Sequence, residues 1–119
     1  MTAPNIVNVA VISGKTAVAN VTTVAADLVS NPASSGKVFK INDIIIANID
    51  GTTAADITVS VYRSSIEYKL ASTISVPADA TLIVISKDTA LYLEENDAIR
   101  VTASADGDLQ AVCSYEEIS

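Results

Sequence analysis

From Asp56 to Arg63 the chain alternates strictly. Ile57, Val59 and Val61 fall on one side, and Thr58, Ser60 and Tyr62 on the other. A period of two predicts a strand with one buried and one wetter face. The stretch before it, residues 37–49, is strongly apolar, but its phase slips. Phe39 and Ile41 set one phase, then Asn42 and Asp43 stand side by side before Ile44, Ile45 and Ile46. One inserted residue near Asn42-Asp43 restores the phase, so a β-bulge is expected there. Three consecutive Ile predict cover on both faces, one by the core and one by a neighbouring molecule or another loop of the chain. Asp50-Gly51-Thr52-Thr53-Ala54-Ala55 supplies the Gly of a tight reversal, so residues 36–63 are expected to form strand, turn and strand.

The remaining chain extends the pattern. Residues 6–12 predict a strand, Ser13-Gly14-Lys15 its turn, and residues 16–23 the second strand of a hairpin. Residues 24–29 predict an irregular edge strand, although Ala25-Ala26-Asp27-Leu28 favours helix locally. Residues 30–36 have loop composition. Ser64-Ser65 breaks the alternation, and Tyr68, Leu70, Ser72, Ile74 and Val76 resume it. After a turn at residues 77–80, residues 81–85 are almost continuously apolar, as expected deep in a sandwich. Lys87-Asp88 turns into a strand at residues 90–93, followed by an acidic loop at residues 94–97. A final hairpin is expected to pair residues 98–104 with 109–116, with Ile99, Val101 and Ala103 facing Ala111 and Cys113. Pro4 sets residues 1–5 apart as a flexible N-terminal arm, or one that adds to a neighbour's sheet. About eight to ten short strands with regular turns predict an all-β fold: an antiparallel, jelly-roll-like β-sandwich, one domain over residues 6–119.

Composition narrows the function. Half of the 119 residues are hydrophobic but only 4% are aromatic, so the core is aliphatic. The single Cys excludes an intrachain disulfide. A net charge of -7 with seven basic residues makes a poor polyanion binder, so no nucleic-acid partner is expected. His is absent, which removes the commonest general base and the commonest metal ligand. No basic stretch followed by an apolar run opens the chain, so no signal peptide is expected. The longest aliphatic stretch, near Ile44 to Ile49, is too short to span a bilayer, and no membrane partner is expected.

The candidates for chemistry are weak. Glu94, Glu95 and Asp97 crowd one loop, and Asp106 and Asp108 flank Gly107. Paired acids can hydrolyse glycosides or hold calcium, but neither loop has the ligand order of a calcium loop, and solvated turns are expected. Ser and Thr are abundant, yet without His a hydroxyl nucleophile has no ordinary base; a Ser-Lys dyad is possible in principle, but neither a Gly-x-Ser-x-Gly elbow nor a Ser-x-x-Lys nucleophile is expected. Cys113 sits in an apolar strand, where a thiol serves as packing. Asn20-Val21-Thr22 matches a glycosylation sequon, which a three-residue pattern does often by chance. Tyr62, Tyr68, Tyr92 and Tyr115 could stack on sugars, but are scattered in sequence and are expected as edge residues. No catalytic, cofactor-binding or metal-binding residues and no cofactor are therefore assigned.

Four segments carry a resemblance: Lys40-Ile41-Asn42-Asp43-Ile44, Ala47-Asn48-Ile49-Asp50-Gly51, the run from Leu93 to Ser104, and Val112-Cys113-Ser114-Tyr115-Glu116-Glu117-Ile118. From Gly36 onward the chain resembles small virion structural proteins of tailed bacteriophages, including phages of marine cyanobacteria. The resemblance implies a non-enzymatic structural protein of the virion, assembled in the bacterial host cytoplasm. Within that class the expectation is a capsid decoration or cement subunit. It would act as a homo-oligomer and through contacts with the major capsid protein or other virion proteins. A neck, collar or tail accessory protein and a carbohydrate-binding host-adhesion module are the alternatives.

Overall fold

The computed structural model describes residues 11–89 and 91–119. Within them run β1 (Ile12–Val21), β2 (Ala26–Ser30), β3 (Val38–Asn48), β4 (Ala55–Arg63), β5 (Ile66–Val76), β6 (Thr81–Ile85), β7 (Leu91–Leu93), β8 (Ala98–Ala103) and β9 (Leu109–Ile118). A single 3-10 turn at Lys87–Thr89 separates β6 from β7. Sheet A has the order β1-β9-β3-β6, with β7 also on β3; sheet B has the order β2-β8-β4-β5. Every pairing is antiparallel.

The topology is a doubled ribbon rolled on itself. β4 pairs with β5, β3 with β6 and β7, β2 with β8, and β1 with β9, like the two arms of one long hairpin. The ribbon closes through the β3–β9 and β4–β8 pairs. This winding is the jelly roll expected from the strand spacing. Its tip is the two-residue turn Ser64-Ser65 between paired Arg63 and Ile66. Both turn residues have positive φ, 53° and 63°, as in a type I′ turn. Neither Ser is suited to that conformation, which costs an L-residue about 1 kcal/mol or more. Replacing Ser64-Ser65 by Asn-Gly should therefore stabilise the fold by about 1 kcal/mol, read as a higher urea midpoint with an unchanged slope.

The core lies between the sheets and is aliphatic. Ile41, Ile44 and Ile46 of β3 meet Ile57 and Val59 of β4 and Ile99 of β8, all at 0% exposure. The bulge falls where the phase slipped: between Ile41 and Asp43 the β3–β9 register shifts by one residue. β2 is a short edge strand, with its own irregularity between Asp27 and Val29.

Four expectations are corrected. Ser13-Gly14-Lys15 is no turn. It lies inside β1, which pairs with β9 without interruption from Ile12↔Ile118 to Val21↔Leu109, leaving no reversal there. Nothing stands within 4 Å of where a Gly14 Cβ would be, so no close approach or turn calls for glycine there. The remainder of the first predicted strand, residues 6–10, lies outside the described residues, as do the N-terminal arm and Ala90 of the predicted strand at 90–93. Residues 98–104 and 109–116 are not a hairpin, since β8 belongs to sheet B and β9 to sheet A. The expected facing holds instead across the sandwich, with Ile99, Val101, Ala103, Ala111 and Cys113 all buried in one core. The link after β3 likewise crosses from sheet A to sheet B rather than closing a hairpin. In β5, two bulges break the predicted row. Ile66, Tyr68, Ala71, Ile74 and Val76 oppose the inward residues of β4, and Leu70 and Ser72 leave the phase.

Candidate functional site

The acidic residues are occupied by the fold. Asp97 is only 2% exposed, so the expected solvated turn is corrected at this position. Its carboxylate accepts Arg63 Nε at 2.8 Å, Arg63 Nη2 at 2.5 Å and the Glu94 N–H at 2.9 Å. Hydrogen bonds to Asp97 raise the Arg63 guanidinium further above its ordinary range. Glu94 adds a second contact to Arg63 at 2.8 Å, and Glu95 accepts the Gly36 N–H at 3.1 Å. Asp106 accepts the Thr23 N–H at 2.9 Å. Partial desolvation, then the nearby Asp50, raises the Asp108 carboxyl. Among the described residues, no group of three or more His, Cys, Asp or Glu is placed to hold a metal ion.

The nucleophile candidates fare no better. Cys113 is buried in the core, and desolvation pushes its thiol up to about 12, with Asp43 adding to the effect. Ser34 and Lys37 stand at Ser-x-x-Lys spacing, but the Lys37 Nζ is engaged by Glu117 at 3.0 Å. Asn20 accepts Gln110 Nε2 at 3.0 Å. The tyrosines divide. Tyr62 lies under Arg100 at 3.6 Å, and Tyr115 packs on Phe39 with centroids 5.4 Å apart. Tyr68 and Tyr92 share one groove with Val61, Arg63 and Leu91.

Glu117 is a structural ion-pair centre that the sequence did not reveal. Lys15 Nζ stands 2.8 Å from it and Lys37 Nζ 3.0 Å. The Lys15 hydrogen bond, aided by Lys37 and opposed by desolvation, holds the Glu117 carboxyl below the usual range. A carboxyl lowered on folding contributes its stability above its unfolded value and loses it as pH falls through the folded one. Glu117→Gln should therefore be less stable at pH 7 and lose less on acidification below about pH 4. Urea melts of both proteins across that range check the difference in slope.

What the sheets do assemble is an apolar row on the outer face of sheet A. Val18 pairs with Val112, Val112 with Ile45, and Ile45 with Ile83, so one line of β-branched side chains crosses four strands. Its two ends are the most open, Val18 at 72% and Ile83 at 61% exposure, while Val112 and Ile45 are half-buried. The flanking row of Asn20, Gln110, Ala47 and Thr81 is uncharged. On the other side stand Thr16, Ser114 and Asp43, whose carboxylate accepts the Ser114 N–H at 3.2 Å. In a chain of net charge -7, this face is nearly free of charge at its centre. The triple Ile is thereby divided: Ile44 and Ile46 enter the core, and Ile45 joins the outer row. Sequence reasoning missed the row because it depends on register between four strands distant in sequence. The one available signal was an apolar residue at the wet phase of each strand.

No family model matches the chain, and no curated protein matches it. Solved structures that share its fold include two assembled structural proteins. One is a chain of the disulfide-linked pili that form Bacillus endospore appendages, at 13% identity and a TM-score of 0.54, covering 92% of this chain and 87% of that one. The other comes from the acid-stable capsid of the Helicobacter pylori bacteriophage KHP30, at 10% identity and a TM-score of 0.54, covering 94% of this chain and 90% of that one.

Proposed function

We propose that this chain is a non-enzymatic structural protein of a tailed-phage virion, a decoration or cement subunit that binds the capsid and other copies of itself. The uncharged apolar row across sheet A carries this reading. Exposed contiguous apolar surface marks interaction sites, and an acidic protein can meet a like copy only where charge is thinned. The sequence resemblance to virion proteins supports it, as does a fold shared with a chain of a phage capsid. The other fold neighbour also comes from a polymer of subunits.

Charging the row should remove attachment without unfolding the domain. In Val18→Asp/Ile83→Asp both substitutions sit at exposed positions. The variant should keep its circular dichroism spectrum and thermal transition, and bind subunit-depleted capsids at least about 100-fold more weakly, since each buried unpaired charge costs more than about 1.4 kcal/mol. Unchanged binding would remove the row from the account. A neck or tail position is the neighbouring reading, and copy number per particle separates it: hundreds for a shell protein, about a dozen for a ring. The shared groove of Tyr68 and Tyr92 favours a second function, glycan binding at a host surface, which a glycan array tests directly.

A further inference from the structure

Sheet B ends on β5, an 11-residue edge strand. A long unpaired edge is a template for another strand, and proteins usually shorten, twist, charge or cover it. The other edges are managed. β2 and β6 are five residues each and β7 is three. β1 is long, but its inward residues Ala17 and Ala19 are half-covered and Val21 is buried. β5 carries two bulges and the charged Glu67 and Lys69, but three of its five inward side chains are bare, Ile66 at 53%, Tyr68 at 54% and Ile74 at 41% exposure, while Ala71 and Val76 are covered. Sheet A ends opposite it on the short β6 and β7, so the sandwich stands open along this side. Val61, Arg63, Tyr68, Leu91 and Tyr92 line the resulting groove of about 330 Å³.

The chain itself contains a matching strand. Ile6-Val7-Asn8-Val9-Ala10 alternates, with Val7 and Val9 on one side, and residues 1–10 carry no charged side chain. The segment precedes β1, which packs beside β2 at the far side of the sandwich from β5 and β6. From Val11, whose backbone pairs with Ser119 of its own chain, an extended chain carries Val9 about 7 Å and Val7 about 13 Å. A groove that receives them must therefore belong to a copy lying against the start of β1, away from this chain's own β5 edge. We propose that residues 6–10 of one copy add as a strand to the β5 edge of a second copy, placing Val7 and Val9 in the groove beside Tyr68 and Leu91. Backbone pairing would supply affinity and the two Val side chains the register. Donor and acceptor surfaces differ, so the contact is heterologous and propagates into rings or chains rather than stopping at a pair. This inference rests on the chain being an assembling subunit, but its test uses the isolated protein and can fail while capsid attachment stands.

The test is disulfide trapping between full-length chains. Val9→Cys and Tyr68→Cys are made separately, mixed and oxidised; the native Cys113 is buried and stays out of the reaction. The mixture should give a linked two-chain species at least about tenfold above either variant alone, because a docked strand raises the effective concentration of the paired thiols. Val7→Asp/Val9→Asp should reduce the multi-copy species seen by light scattering to single chains, with circular dichroism unchanged. No linked species in the mixture, or a Val9→Cys/Tyr68→Cys double variant that links only within one chain at every concentration, would overturn the proposal. So would a Val7→Asp/Val9→Asp protein that keeps the size of the parent.

Discussion

Replacing Ile44 by Ala should cost about 4 kcal/mol, while the same change at the adjacent Ile45 should cost about 1 kcal/mol. The two residues share composition, strand and sequence neighbours; the bulge decides their fates. Ile44 lies opposite Cys113 and Ile85 at 0% exposure, between sheets that cannot collapse onto a lost side chain. Its removal forfeits the transfer energy of three carbons and leaves a cavity. Ile45 points to the outer row, half-buried, where solvent fills the space. Urea titration measures both, at constant slope. Equal costs would mean that the phase of β3 has been assigned one residue out.

Asp97→Ala should destabilise the protein by about 3 kcal/mol, a drop in Tm of roughly 10 °C. Exposed salt bridges rarely reach that size, and the cost here arises from what the carboxylate holds together. It takes three hydrogen bonds: two from the Arg63 guanidinium and one from the Glu94 N–H. Its backbone accepts the N–H of Asn31, itself 1% exposed, whose amide donates to Lys37 and Leu93 carbonyls at 2.9 and 3.2 Å. Alanine keeps that backbone carbonyl but removes the acceptor of the Glu94 N–H and of the Arg63 guanidinium at one closing end of the ribbon, where a partly buried polar group has little water to replace it. Arg63 is 46% exposed at its side chain and can return to solvent, which keeps the cost below that of a fully buried pair. Arg63→Ala should cost more than a surface ion pair for the complementary reason, since it leaves the buried carboxylate short of donors.

The sandwich was legible because alternation is a local property. Ile57, Val59 and Val61 announce a buried face without reference to any other strand. The bulge at Asn42-Asp43 was legible for the same reason, as a phase slip within one element. Pairing was not. Asp106-Gly107 has the composition of a hairpin turn, yet it carries the chain from one sheet to the other. Nothing in a turn of polar residues records which sheet receives the next strand. Ser13-Gly14-Lys15 failed by the opposite route: turn composition sits within a strand because β9 supplies a partner for every residue along it. At the site, loop composition indicated solvation for Asp97, whereas its partner lies 34 residues earlier. The apolar row was invisible because Val18, Ile45, Ile83 and Val112 meet only once the four strands are in register.

If the chain is the virion subunit proposed above, the most direct measurement is a cryo-electron microscopy reconstruction of the purified phage particle. It should place the jelly roll on the shell in many symmetric copies, with Val18, Ile45, Ile83 and Val112 covered by a neighbouring subunit. A particle in which the chain is missing, or in which that row faces open solvent in every copy, contradicts the account.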